Sequence, residues 1–171
     1  MKLSKLNHYG IRGIPNNWFS SYLKNRKQFV SINGFNSELN NTLCGVPQGS
    51  ILGPLLFLLY INDLHMAIKH CKVHHFADDT NLTYFGRSIK NINSKVNHDL
   101  KRLTSWLNAN KICLNVNKTE LVPYKSCKKQ VDFELKVKLN GQRIYETDSV
   151  NFLELKLIEI FYGLIKLIVF Q

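Results

Sequence analysis

No stretch of this sequence is long and apolar enough to cross a bilayer. The two longest apolar runs, residues 51–61 and 157–170, fall short of the roughly 20 residues a spanning helix needs, and Lys166 interrupts the second. No membrane partner is expected. Cysteines are few and scattered: Cys44, Cys71, Cys113 and Cys127 form no C-x-x-C pair. That spacing excludes a zinc ribbon and a disulfide framework. With no secretory signal, reduced thiols and an intracellular location are expected, nucleus or cytoplasm left open. Acids are scarce too, 12 against 23 lysines and arginines, and residues 1–44 hold no aspartate, Glu38 being their one acid. Internal repeats and low-complexity linkers are absent.

What is present is globular. At 171 residues, 44% hydrophobic and 11% aromatic, the chain can bury one core but not several. Its net charge of +11 suits a polyanionic partner, nucleic acid or an anionic surface, although a generally basic soluble protein fits the charge as well.

The pattern mixes helix and strand. Pro15 suits the first turn of a helix to about Asn25, with Trp18, Tyr22 and Leu23 as its apolar stripe. Residues 27–33 read as a strand, Asn33-Gly34 as a hairpin turn, and residues 37–43 as the returning strand. Ser50 and Pro54 open an apolar helix to about Lys69, hydrophobic on most faces and so expected to be buried. Two short strands, 73–76 and 81–85, flank a tight turn at 77–80.

Ser88 then caps a long helix whose Ile89, Ile92, Val96, Leu100, Leu103 and Leu107 step by three and four. Its Lys90, Lys95, Lys101 and Arg102 should face water. Residues 112–116 and 119–124 are strand-like, and residues 131–139 alternate apolar with polar before Asn140-Gly141, a second hairpin signal. The sum is α+β: a half-buried antiparallel sheet with helices packed on one face.

Two segments carry chemistry. His74-His75-Phe76-Ala77-Asp78-Asp79-Thr80 sets two adjacent carboxylates at the tip of an apolar hairpin. Such a pair repels itself unless a cation sits there, and magnesium takes one or two carboxylates plus substrate phosphates. An ordinary surface turn is the plainer alternative. His74 and His75 read as strand residues rather than ligands.

Cys44-Gly45-Val46-Pro47-Gln48-Gly49-Ser50-Ile51-Leu52-Gly53-Pro54 is a Gly/Pro-rich loop running into the apolar helix. Glycines let backbone approach a ligand closely, a helix N-terminus favours phosphate, and Gln48 brings both a donor and an acceptor. Alone, it would be a capped helix start.

In this order the two segments resemble reverse transcriptases of non-LTR (LINE-like, jockey-type) retrotransposons. Residues 45–64 are similar almost position for position to that family's loop-and-helix motif, and Phe76-Ala77-Asp78-Asp79 to its aromatic-x-Asp-Asp box. His8 to Gly13, Trp18 to Gln28, and Trp106 with residues 108–119 match as well, so the similarity covers roughly residues 3–153.

The resemblance implies RNA-templated DNA synthesis on part of a right-hand polymerase palm. It makes Asp78 and Asp79 the catalytic metal ligands for Mg2+, or Mn2+, with Asp79 the weaker contributor. Pro47, Gln48 and Gly49 would line the pocket for template base and incoming deoxynucleoside triphosphate. Phe76 would pack near the primer end, and Lys118 would donate a proton to pyrophosphate, unless it is a solvated turn lysine. The implied partners are an RNA template, a DNA primer and deoxynucleoside triphosphates.

The pattern also breaks. The family completes its metal site with an aspartate upstream of the Gly45 loop, where this sequence has none, and the preceding fingers segment is missing. Where the family has Phe-Leu-Gly, this chain has Phe152-Leu153-Glu154, and residues 155–171 match nothing expected of the family. The expectation is a partial palm over residues 1–153 with a divergent hydrophobic tail over 154–171, catalytically incomplete as it stands. A non-catalytic nucleic-acid-binding remnant is the second reading, and a small enzyme with a substitute carboxylate the third.

Overall fold

The computed structural model describes residues 3–76, 79–86, 88–124, 135–147, 149–152, 155–158 and 164–169. They fall into two compact units, Met1–Asn62 and Asp63–Gln171.

The first unit opens with helices α1, Leu3–His8, and α2, Ile14–Leu23. Gly13, at φ 63°, turns the chain between them, and Pro15 fits the first turn of α2, where a missing N–H leaves nothing unpaired. Asn16 Nδ2 donates to the carbonyl of Ile11 at 2.9 Å and braces that turn. The expected apolar stripe of α2 is not buried: α2 has no buried residue, and Trp18 is 53% exposed, its ring stacked on Tyr22 with centroids 5.4 Å apart. Aromatic pairing along the helix surface replaces core contact there.

Four two-residue strands follow: β1, Lys27–Gln28; β2, Ser31–Ile32; β3, Phe35–Asn36; and β4, Asn40–Asn41. The Asn33-Gly34 turn forms as expected, both residues at positive φ (51° and 85°), with Ile32 opposite Phe35. That is the backbone of a two-residue hairpin loop. The flanking strands are shorter than the expected 27–33 and 37–43, because β1 leaves β2 to pair with β4 and every residue of both pairs is exposed.

Helix α3, Leu52–Ile61, closes this unit. The Lys5 ammonium donates to the carbonyl of Tyr60 at 2.6 Å and sits 4.4 Å from the centre of its ring, tying α1 to α3. Two expectations fail here. The helix stops at Ile61 rather than running to Lys69, with Asn62 and Asp63 separating it from α4, Leu64–Ala67. Short polar side chains at that break favour turns over helix continuation. Nor is α3 buried on most faces: Gly53, Leu56 and Ile61 are, while Leu55 and Leu58 are exposed.

In the second unit, β5, Lys72–Phe76, and β6, Asp79–Phe85, lead into α5, Ile89–Ala109. The three-four stripe of α5 is core from its second residue on: Ile92, Val96, Leu100, Leu103 and Leu107 are all buried, while Ile89 at its start is half-buried. Ser88 stands at the N-cap position with extended backbone but makes no capping hydrogen bond through its side chain. Lys90 and Lys101 are exposed and Lys95 is half-exposed. Arg102, expected in water, instead donates through Nε to the carbonyl of Ala67 at 2.6 Å. A guanidinium close to a helix end finds an orphan carbonyl.

Just past the helix, after the C-cap Asn110, Lys111 takes φ 55°, and the N–H of Ile112 donates to the carbonyl of Leu107 at 3.0 Å. Residues 112–115, expected as a strand, join no ladder among the described residues. Asn115 Oδ1 takes the N–H of Asn117 at 3.1 Å and starts a 3-10 turn, Val116–Lys118. A local side-chain acceptor has displaced a ladder bond.

Strand β7, Glu120–Tyr124, comes next. Strands β8, Val137–Leu139, and β9, Gln142–Ile144, form the second expected hairpin, with Asn140 and Gly141 at φ 50° and 80°. Val137 and Leu139 point inward with Leu135, as their alternation requires; the first part of that segment, residues 131–134, lies outside the described residues.

Strands β10, Ser149–Phe152, and β11, Leu155–Ile158, pair with each other. The last strand, β12, Leu164–Val169, enters the interior of a four-stranded antiparallel sheet of order β5-β6-β12-β7. The architecture is mixed α and β, with the described core of this unit lying where α5 meets β6 and β8.

Candidate functional site

Strands β5 and β6 pair antiparallel, with Phe76 opposite Asp79, His75 opposite Thr80 and His74 opposite Asn81. Of the expected turn at 77–80, Asp79 and Thr80 already belong to β6. Residues 77 and 78 lie outside the described residues, and Asp78, the expected principal metal ligand, is one of them. Asp79 is half-buried at the first position of β6, and Phe76 across from it is 59% exposed.

Directly paired residues share a sheet face, and that face alternates along each strand. One face thus carries Lys72, His74 and Phe76 with Asp79, Asn81 and Thr83; the other carries Val73 and His75 with Thr80, Leu82 and Tyr84. The first is polar and open on the β5 side. The second is largely core, Leu82 and Tyr84 being fully buried.

His75 lies on the core side. Its Nδ1 and the Thr80 hydroxyl are 2.9 Å apart, a cross-strand bond that laces the end of the hairpin. Burial, with the nearby charges of His65 and His74 adding to it, pushes the imidazole below its ordinary protonation range. A neutral, strand-locked imidazole agrees with the strand role read for it.

Asn81 stands out chemically. It is fully buried two residues along the strand from Asp79, and neither atom of its side-chain amide has a hydrogen-bond partner among the described residues. A buried, unpaired amide costs about 1–3 kcal/mol, so an unsatisfied group in this position asks for a reason.

Lys118 sits in the 3-10 turn just ahead of β7, with its side chain exposed. Glu120 of β7 pairs with Ile168 of β12, and Ile168 pairs in turn with Asn81 of β6. The starts of β6 and β7 therefore share one end of the sheet, a single strand apart, or about 10 Å at ordinary strand spacing. Topology brings Lys118 and Asp79 to the same edge, though nothing in the intervening sequence announces it.

Pro47, Gln48 and Gly49 belong to the first unit. Gly49 takes φ 74°, and the Ser50 hydroxyl donates to the carbonyl of Pro47 at 2.7 Å, closing the loop onto the start of α3. A Cβ at Gly53 would meet Ser50 Oγ at 3.0 Å, so glycine is what lets loop and helix lie this close. Arg26 Nη2 donates to the carbonyl of Gly45 at 2.6 Å and pins the loop's other end. Gln48 is exposed.

At the far end of β5 lies a cluster that sequence reading missed. Asp99, fully buried on α5, accepts the backbone N–H of His70 at 2.8 Å and that of Lys69 at 3.3 Å. The Cys71 thiol and the buried Tyr84 hydroxyl lie beside this carboxylate, and burial pushes the thiol up to about 12. Burial first, and then the neighbouring Cys71 and Asp99, raise the Tyr84 phenol as well, although its hydroxyl reaches no partner in good hydrogen-bond geometry. Both groups stay protonated at neutral pH, and Cys71 is an inert thiol rather than a nucleophile. An aspartate inside the polar-apolar rhythm of a helix, one residue from a core leucine, was the available signal.

Among the described residues, no helix is long and apolar enough to cross a membrane. Residues 2–157 match the family model for reverse transcriptase (RNA-dependent DNA polymerase). The chain is similar to three proteins of Drosophila melanogaster. It is 32% identical over 106 residues to a probable RNA-directed DNA polymerase from transposon X-element, a match covering 60% of this chain and 12% of that protein. It is 28% identical over 111 residues to the RNA-directed DNA polymerase from mobile element jockey, covering 61% and 12% respectively. To a probable RNA-directed DNA polymerase from transposon BS it is 30% identical over 125 residues, covering 69% and 13%. These matches thus span only about an eighth of the relatives' length. No solved structure matches the chain.

Proposed function

Because the chain belongs to the reverse transcriptase (RNA-dependent DNA polymerase) family, we propose that it carries part of the palm of a mobile-element RNA-directed DNA polymerase. The observation that carries this reading is Asp79 opening β6 directly opposite Phe76, with Asp78 the residue before it in sequence. Two carboxylates adjacent in sequence, the second of them opening a strand of the hairpin, are a hard-oxygen donor set, which suits Mg2+ and admits Mn2+. The unpaired amide of Asn81, on the Asp79 face, adds a polar group with no other described purpose. When bound, such an ion supplies charge stabilisation for phosphoryl transfer.

In this reading Asp78 and Asp79 hold the cation, and Phe76, exposed beside them, packs at the primer end. Lys118, at the same edge of the sheet, donates a proton to departing pyrophosphate. Pro47, Gln48 and Gly49 form the pocket for template base and incoming deoxynucleoside triphosphate. RNA template and DNA primer run along a surface whose net charge of +11 suits phosphate backbones.

The 171 residues by themselves should not polymerise. Their single acid before the Gly45 loop is Glu38, exposed between β3 and β4. A cation held by too few carboxylates sits loosely, and phosphoryl transfer depends on positioning.

Primer extension on a primed RNA template, with Mg2+ or Mn2+, tests this reading. The chain alone should be silent. A fusion to the aspartate-bearing upstream half of a related polymerase should extend the primer, and Asp78→Ala should abolish that extension. A fusion that extends equally well with Asp78→Ala would overturn the assignment. The net charge of +11 also fits a second reading, a nucleic-acid-binding remnant without catalysis. For it, fusion stays silent while the chain binds RNA or DNA with affinity that falls steeply as salt rises.

A further inference from the structure

We propose that His70, His98 and Asp99 form a binding site for a borderline transition-metal ion of the zinc class, separate from the Asp78-Asp79 pair. One potential ligand atom from each residue lies within 4.8 Å of the others. His98 Nδ1 is 3.3 Å from Asp99 Oδ1, and the His70 and His98 rings meet edge to face with centroids 5.2 Å apart. The two imidazoles are exposed, whereas the carboxylate comes from the interior with 0% exposure. The set therefore faces water on one side and rests on a fixed oxygen on the other.

That carboxylate is held before any ion arrives, Oδ1 by the N–H of Lys69 and Oδ2 by that of His70. One turn further along α5 Arg102 clasps the carbonyl of Ala67. The same contacts that anchor the α4–β5 connection to the helix bring the His70 ring to His98. Ligands oriented by a surrounding hydrogen-bond shell are what a metal site needs. In a tetrahedral zinc site, donors about 2.0–2.1 Å from the metal stand roughly 3.3 Å apart. The His98–Asp99 distance already meets this, and exposed rings can rotate to close the remainder. With three protein ligands, the fourth position falls to water.

Ligand chemistry separates this site from the catalytic one. Imidazole nitrogens suit Zn2+, Co2+, Ni2+ and Cu2+, while Mg2+ asks for oxygen donors in near-octahedral order. Position separates it too. His70 precedes β5 and Phe76 ends it, so the cluster lies roughly 15 Å or more from the hairpin mouth at ordinary strand rise. A metal here would staple the α4–β5 connection to α5, and binding to the folded state alone would raise stability.

Co2+ titration of the full chain, followed by visible absorption, tests the proposal. One equivalent should bind with the d–d bands of a nitrogen-oxygen site and without thiolate charge-transfer bands. Zn2+ should displace it and raise the melting temperature, whereas millimolar Mg2+ should do neither. His98→Ala, at an exposed helix position where alanine supports folding, should still fold cooperatively yet lose both the Co2+ spectrum and the Zn2+-induced rise in melting temperature. Altering one outer partner of a metal site weakens binding roughly 10–100-fold, so His70→Ala with His98→Ala should weaken it by more than about a hundredfold. Co2+ binding that is equal in the double variant, that carries thiolate bands, or that yields to Mg2+ would overturn the site.

Discussion

Asp99 Oδ2 and the backbone N–H of His70 meet at 2.8 Å, so a fully buried carboxylate on α5 ends the α4–β5 connection. Asp99→Ala strands two backbone donors and should lower unfolding stability on the order of 2–5 kcal/mol. Asp99→Asn keeps the volume and one acceptor and should lose less. Urea denaturation read by circular dichroism gives the comparison. Equal midpoints for parent and Asp99→Ala would show that the clasp contributes nothing.

Leu100 is the neighbouring residue and lies at the centre of the α5 stripe, with no exposed surface. Burying a leucine is worth about 1.5–3 kcal/mol, and placing an unpaired carboxylate in that position adds a far larger penalty. Leu100→Asp should leave the chain unfolded at room temperature. Lys101→Asp, one position on and exposed, should melt with the parent. Coincident melts for all three would remove the stripe from the core.

His75 links the hairpin to pH. Its imidazole is pushed below the ordinary value of about 6.5, chiefly by burial, so the folded state disfavours its proton. Between the lowered folded value and 6.5 the unfolded chain binds more protons, and stability rises with pH across that window. Acidification from about pH 7.5 towards about 5.5 should therefore destabilise the protein, and His75→Gln should flatten that slope. A slope unchanged in His75→Gln would assign the effect to other groups.

The end of the chain should prove structural. Strand β12 lies between β6 and β7, pairing Leu167 with Leu82 on one side and Leu121 on the other. Removing residues 159–171 leaves both neighbours with unpaired edges, an invitation to aggregate. The truncated chain should melt lower and show concentration-dependent light scattering. A monomeric truncation with the parent melting temperature would mean that β12 is dispensable.

Much of this was legible locally. Asn33-Gly34 and Asn140-Gly141 dictate their turns because few other residue pairs accept two successive positive φ values, and both turns form. The α5 stripe is likewise legible, since a helix meets its core through a fixed period. The family, too, was written in two short segments, the Gly45–Pro54 loop and Phe76-Ala77-Asp78-Asp79.

Other features had no local signature. Residues 112–116 carry strand-forming side chains, yet Asn115 commits its acceptor to a turn and no described neighbour offers a ladder. The apolar surface of α2 and α3 reads as core but finds too little to pack against in its own unit. Periodicity reports which face of an element is apolar, not whether anything covers it. The meeting of His70 with His98 and Asp99, 28 and 29 positions on, and the entry of β12 between β6 and β7 both depend on chain return. The sequence by itself determined the turns, the amphipathic helix and the family, because each rests on backbone preferences or motifs a few residues long. Only the tertiary structure decided which distant side chains share a site, because that depends on which elements pack and pair across long separations.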